Sequence, residues 1–187
     1  MRQRPKLIVV TGLPATGKTW LSSEISKALE VPLFTKDQIK IKLLENLGKK
    51  DRDWDRQIGI AAVRLQVTLA ENLLARKRSV ILESNFKEEF DAPQIRELLE
   101  RTVSDCMQII CGANGDVLIE RFRRRETTEE RSPLQFATNV DEWKARLKKG
   151  FDEPLRLPGK IVSVDTTDFS KVNMLSILDA VGEFLSS

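Results

Sequence analysis

Histidine is missing altogether from these 187 residues, and only two cysteines are present. Without an imidazole there is no Ser-His-Asp triad, no Cys-His pair and no histidine-bearing zinc site, so a general base must be a carboxylate or a lysine. The two thiols, Cys106 and Cys111, fall on one apolar run that reads as a strand. At ~3.3 Å per residue they would lie about 16 Å apart, well beyond the ~7 Å between Cα atoms that a disulfide tolerates. They are expected to be buried, reduced thiols, with no base or cation beside either to make a nucleophile. An excess of one charge is lacking too: 31 Lys and Arg against 28 Asp and Glu leave a net +3, too little to argue for nucleic acid by itself. No apolar run approaches the ~20 residues that cross a bilayer. The basic Met1–Lys6 leads into an apolar run too short for a signal peptide. The expectation is a cytoplasmic protein without a membrane partner, folded as a single domain over residues 1–187 with enough chain for a sizeable core.

What is present is concentrated at the start. Leu7–Thr11 is an apolar run, and the next eight residues, Gly12, Leu13, Pro14, Ala15, Thr16, Gly17, Lys18 and Thr19, read G-x-x-x-x-G-K-[ST]. The setting matters as much as the letters, because the run reads as a buried strand and the residues after it as a helix. Glycines permit backbone conformations in which successive N–H groups turn inward around a phosphate. Lys18 supplies a charge for the outer phosphates and Thr19 a hydroxyl for Mg²⁺. These eight residues, with Trp20 directly after them, are the candidate contacts to a nucleoside triphosphate.

Beyond that loop the pattern alternates strand and helix throughout, which predicts a parallel sheet with helices on both faces. Strands are expected at Val31–Thr35, Ser79–Leu82, Asp105–Cys111 and Lys160–Asp165. Helices are expected at Lys18–Leu29, Asp37–Leu47, Trp54–Arg76, Pro93–Arg101, Gly115–Arg125, Asn139–Lys149 and Lys171–Leu185. In the longest of these, Ile58, Ala61, Ala62, Leu65, Leu69 and Leu73 recur at helical spacing. The polar stretch Glu126–Pro133 breaks periodicity and suits a lid. The fold class that follows is α/β, a doubly wound five-stranded P-loop NTPase with strand order 2-3-1-4-5.

Ligands of such sheets gather at the carboxyl ends of the strands. The second strand ends in Thr35-Lys36-Asp37. Asp37 could accept the proton of an attacking hydroxyl, or could equally be a helix N-cap. The third strand ends in Glu83-Ser84-Asn85, where Glu83 could hold Mg²⁺ or orient a nucleophile, or merely cap a turn. Asn85 could bind substrate. Arg121 and Arg125 share a helix face, with Arg123, Arg124 and Arg131 nearby. Guanidinium forks match phosphate oxygens and stack on an adenine, but interleaved glutamates also fit a solvated surface. At the close of the fifth strand, Thr166 and Thr167 lie where a base would sit, or cap the last helix. Lys40, Lys42, Lys49, Lys50, Arg52 and Arg56 crowd the segment that should cover an acceptor. They favour an anionic or nucleotide-like partner, or make a solvated face.

With these residues in place, the chain resembles the small P-loop kinases that include zeta toxins, the polynucleotide kinase phosphotransferase domain, gluconate kinase and chloramphenicol phosphotransferase, within the AAA-type ATP-binding domain family. The resemblance rests on the loop at 12–19, the K-D-x-I-K segment Lys36–Lys40, the strand end Glu83–Phe86, the R-F-x-x-R run Arg121–Arg125 and the terminal V-D-T-T. It implies that Asp37 activates an acceptor hydroxyl, that a lid over about 121–138 closes on the triphosphate, and that Arg121 meets the adenine and Arg125 the phosphates. Lys18, Asp37 and Arg125 are then the catalytic set, with Thr19 and Glu83 toward Mg²⁺. Where many relatives carry R-H-P in the lid, this chain has Arg131-Ser132-Pro133. The expected activity is ATP-dependent phosphorylation of a hydroxyl, first a nucleoside or nucleic-acid 5′-OH. A nucleotide-dependent regulatory ATPase and an antibiotic or sugar-nucleotide kinase are the alternatives.

Overall fold

The computed structural model describes residues 4–126 and 140–187. The expected lid, with Arg131, Ser132 and Pro133, falls largely outside the described residues.

Five parallel strands form one sheet in the order β2-β3-β1-β4-β5, as the alternation predicts. They are β1 (Lys6–Gly12), β2 (Leu33–Thr35), β3 (Val80–Glu83), β4 (Asp105–Gly112) and β5 (Lys160–Asp165). Around them lie α1 (Lys18–Leu29), α2 (Lys36–Leu47), α3 (Arg52–Ala75), α4 (Ala92–Thr102), α5 (Gly115–Glu126), α6 (Val140–Leu147) and α7 (Met174–Ser186). The final helix starts three residues later than expected: a 3-10 turn at Phe169–Lys171 precedes α7, which begins where Asn173 accepts a hydrogen bond from the Ser176 amide at 3.1 Å.

Strand β1 is buried along its whole length, and apolar from Leu7 to Val10, because both of its faces are covered. Leu7 and Val9 join α3 and α4 residues in one core, with Val63, Val67, Ala70 and Ile95. Ile8 and Val10 join α1 and α7 residues in the other, with Leu21, Ile25, Val181 and Phe184. A third cluster packs Leu13 and Ala15 of the first loop against Leu118, Ile119 and Phe122 of α5. The phosphate-type loop is therefore built into the core. Both cysteines are free and buried on β4, and burial pushes each thiol up to about 12.

Helix α3 departs from expectation in two ways. Its buried face is Ile58, Ala62, Val63, Gln66, Val67, Ala70 and Leu74, whereas Leu65 and Leu69, expected inside, are 43% and 40% exposed. Two apolar stripes satisfy the helical period here, and the sheet selects the one with Val63, Val67 and Ala70, whose small side chains let the helix approach. Gln66 belongs to that stripe because its amide donates to the carbonyls of Phe34 at 2.6 Å and Glu83 at 2.9 Å. The second departure is hydropathy. A window of α3 with mean hydropathy 1.3 meets the length and composition of a membrane span. Arg64 and Glu71 interrupt it, so no unbroken apolar run announced it. In this fold its inner stripe packs on β3 and α4 residues.

Candidate active site

The carboxyl ends of the strands meet at one pole, and register fixes who stands beside whom. Glu83 pairs with Val10 of β1 on one side and with Thr35 of β2 on the other. The residue before Asp37's helix turn, the end of β3 and the entry to the loop are thus neighbours by backbone pairing alone.

The loop is shaped by its glycines. Gly12 has φ +147°, and a Cβ there would collide with the Cys111 carbonyl of the adjacent strand. Ala15, with φ 65°, sits in the left-handed region without being glycine, a local strain at the point where the chain turns back. Three donors converge on the Leu13 carbonyl: Thr16 N at 3.4 Å, Thr16 Oγ1 at 2.8 Å and Lys18 Nζ at 3.3 Å. From outside, Thr166 Oγ1 donates to the Thr16 carbonyl at 2.7 Å and to that of Gly112 at 3.0 Å. Gly17 is the N-cap of α1 and brings no capping side chain, so the amides of the first turn give no hydrogen bond to a cap side chain. An uncapped N-terminus on a twelve-residue helix presents N–H groups and partial positive charge to an anion.

Five of the residues singled out in the sequence come together above this loop. Lys18 is nearly buried, and desolvation holds its ammonium below the ordinary lysine range against the pull of Glu83. Glu83 is 3% exposed; burial raises its carboxyl, with Lys18 opposing. Thr19 Oγ1 donates to Glu83 Oε2 at 3.2 Å. Asp37 lies in the first turn of α2, but the cap is Thr35, whose side chain accepts from Gln38 N at 3.4 Å. The N-cap reading of Asp37 is thereby removed. Arg125 reaches from α5 to Asp37, with Nη2 3.5 Å from Oδ2.

The rest of the arginine run divides by exposure. Arg123 and Arg124 face solvent, with Arg124 3.5 Å from Glu120 one turn back. Arg121 turns inward and donates through Nη2 to the carbonyls of Thr166 at 2.9 Å and Thr167 at 3.0 Å. The two threonines thus anchor Arg121, and the buried Thr166 hydroxyl is committed to the loop. Thr167 Oγ1 accepts from Asn114 N at 2.8 Å. Trp20 lies edge-on to Phe169, ring centroids 5.0 Å apart.

On the acceptor side, two of the six basic residues are paired with carboxylates from the same segment and a third lies over an aromatic ring. Lys40 pairs with Asp55 at 2.7 Å, Lys42 with Glu45 at 2.7 Å, and Lys50 sits 4.2 Å over the Trp54 ring. Lys36, given no role from sequence, is the residue sequence reasoning passed over here. It donates to Asn85 Oδ1 at 3.4 Å, and burial lowers its ammonium, with Asp37 opposing. Its signal was its place beside Asp37 at a strand end.

A loop of this shape, after the first of five parallel strands in this order, defines a P-loop nucleotide-binding protein of kinase-like fold. The chain belongs to an AAA domain family, whose model matches residues 7–154. It is similar over 97% of its length, at 36% identity and a TM-score of 0.90, to a protein from Chloroflexus aurantiacus j-10-fl provisionally named a kinase, 98% of which is covered. Two more distant structures share the fold. A gluconokinase from Sinorhizobium meliloti 1021 is 19% identical with a TM-score of 0.55, 99% of this chain and 98% of that one being covered. Kti12 from Chaetomium thermophilum, solved in complex with ADP-AlF3, is 18% identical with a TM-score of 0.66, covering 97% of this chain and all of that one. No curated protein matches the chain.

Proposed function

We propose that this protein is an ATP-dependent phosphotransferase that moves the γ-phosphate of ATP to a hydroxyl group, with Asp37 as the general base. The observation that carries it is the convergence of Lys18, Thr19, Glu83, Asp37 and Arg125 at one end of the sheet, where each has another of the set as a charge or hydrogen-bond neighbour. The reaction asks for little covalent work from the protein and much positioning and charge. The loop amides and Lys18 take the phosphate oxygens. The acceptor oxygen attacks the γ-phosphorus as its proton passes to Asp37, the bond to the β–γ bridging oxygen breaks, and ADP leaves. Arg125 now rests on Asp37; a triphosphate would offer it a stronger anion and uncover the carboxylate for the acceptor.

Mg²⁺ fits this chemistry. Thr19 Oγ1 and Glu83 Oε2 are hard oxygen donors 3.2 Å apart, close to the spacing of adjacent ligands around an ion that binds oxygen at ~2.1 Å. No group of three His, Cys, Asp or Glu able to hold a metal occurs among the described residues, so phosphate oxygens and water would complete the shell. The ion supplies neutralisation of charge on the β- and γ-phosphates.

The kinship with zeta toxins, polynucleotide kinase and chloramphenicol phosphotransferase is part of this reading, supported by Lys36–Lys40 and Arg121–Arg125. So are the single domain over residues 1–187 and a lid near 121–138. A nucleoside or nucleic-acid 5′-hydroxyl is the first acceptor class, although the ion pairs of Lys40 and Lys42 weaken the charge argument for it. The test is ADP release in Mg²⁺-ATP with a panel of nucleosides, 5′-hydroxyl oligonucleotides, sugars, sugar nucleotides and hydroxylated antibiotics. One class should raise ADP release and carry the phosphate. ADP release indifferent to every acceptor would favour the regulatory ATPase.

A further inference from the structure

Phe169 follows β5 on a three-residue 3-10 turn that Asp168 caps through the Ser170 amide at 3.0 Å. Its ring lies 4.3 Å from Cζ of Arg121 and meets Trp20 edge to face. It also covers Gly17 so closely that a Cβ there would come within 2.6 Å of the ring. Yet the residue remains 40% exposed, at the mouth of the loop. Under it, Arg121 is fixed by its two carbonyl bonds, and its Nη1 is buried with no hydrogen-bond partner.

A nucleotide whose phosphates occupy the loop extends its base one ribose further, past Thr19. Gly17, Trp20 and Arg121 stand beside that end of the loop. A guanidinium plane anchored by its edge offers its face to a flat π system. In this protein a ring from the chain itself, that of Phe169, already lies against the guanidinium. Cζ of Arg121 lies 4.3 Å from the ring centroid, too close for a second ring to fit between them.

We propose that Phe169 is an internal occupant of the base subsite, which an incoming nucleotide base must displace to stack on Arg121. The inference rests on the nucleotide-binding reading above and adds a residue and a conformational step to it. Phe169 is the partner that moves, since it sits half-exposed on a short turn while Arg121 is tied to two carbonyls. Displacement lowers the affinity for any ligand that carries a base and leaves a bare polyphosphate unaffected, because only the fraction of molecules with the ring withdrawn accepts the base.

The experiment compares ATP with inorganic tripolyphosphate, both with Mg²⁺, on the parent, Phe169→Ala and Phe169→Leu. Removing the ring should tighten ATP binding about 2–5-fold, the size of a half-exposed cation–π contact, and leave tripolyphosphate unchanged, with Phe169→Leu between the two. In the parent, ATP should change Trp20 emission as the ring leaves its edge, and Trp20→Phe should remove that signal from the background of Trp54 and Trp143. Weaker ATP binding in both variants would make Phe169 a wall of the subsite and overturn the proposal, as would equal ATP affinity in all three. A parent that binds tripolyphosphate but not ATP would also overturn it. A parent that binds neither ligand would remove the nucleotide reading itself, and this inference with it.

Discussion

Two lysines stand near the opposite ends of β1, both close to fully buried, and they are treated in opposite ways. At the amino end, Lys6 is 3% exposed and its ammonium is satisfied on every side: Asp105 at 2.8 Å, Ser187 Oγ at 3.2 Å and the Phe184 ring at 5.2 Å. At the carboxyl end, Lys18 is 8% exposed and among the described residues donates only to the Leu13 carbonyl at 3.3 Å, with Glu83 acting at longer range. A buried cation that lacks close anionic partners costs free energy, and a ligand that supplies the anion recovers it. The contrast separates a pole sealed for stability from a pole held ready for phosphate.

The largest expected effect is at the ready pole. Lys18→Ala should lower turnover by roughly 10²–10³, the usual cost of removing a preorganised charge from a phosphoryl-transfer site. It should not lower thermal stability, because the parent lysine is there at a desolvation cost. Steady-state kinetics and thermal melts on one preparation check both halves. Burial depresses the folded-state value of Lys18 below that of the unfolded chain. Between that lowered value and ~10.4 the unfolded chain holds a proton that the folded protein has released, so this group makes stability rise with pH through the window. The variant should lose that alkaline rise.

Next comes Arg125→Ala, which should slow transfer about 10-fold or more while changing ATP affinity less, because a lid arginine meets developing charge mainly in the closed, reacting state. Equal loss of kcat/KM and affinity would place its contribution in ground-state binding.

The smallest effect belongs to the sealed pole. Lys6→Met should cost about 1–2 kcal/mol, the worth of a charged hydrogen bond discounted because Asp105 is 36% exposed. Activity per folded molecule should be unchanged. The hydrogen bond from Lys6 holds the Asp105 carboxyl below the usual range. Between that lowered value and ~3.9 the unfolded chain binds more protons than the folded one, so stability is present above ~3.9 and drains as pH falls through the folded value. Acid titrations of Lys6→Met and parent should therefore converge at low pH.

The ready pole was the more legible in sequence. Its loop is dictated by backbone demands that only a few letters satisfy, and the strand-helix alternation carried the order of the whole sheet. The helix boundaries fell within a few residues, although the caps themselves, Thr35, Asp51 and Asn173, were not singled out. What could not be read depends on contacts distant in sequence. Lys40 and Asp55 are fifteen residues apart on two helices, so a run of basic residues looked freer than it is. The stripe of α3 that faces the core is decided by the sheet, since Leu65 and Leu69 keep helical period as well as Val63 and Val67 do. Arg121 was expected to meet an adenine; the ring it meets in this structure is that of Phe169, which lies beyond the last strand, where no motif marks it.

The most direct test of the account replaces Asp37 by Asn, which keeps shape and removes the base. Because Thr35 is the cap of α2, the fold should be unaffected. The measurement is the ATP dissociation constant beside the single-turnover rate of phosphoryl transfer to whichever acceptor supports ADP release. ATP affinity should stay within a few-fold of the parent and transfer should slow by roughly 10²–10⁴. Transfer at the parent rate in folded Asp37→Asn, or an equal loss of binding and transfer, would contradict Asp37 as the general base.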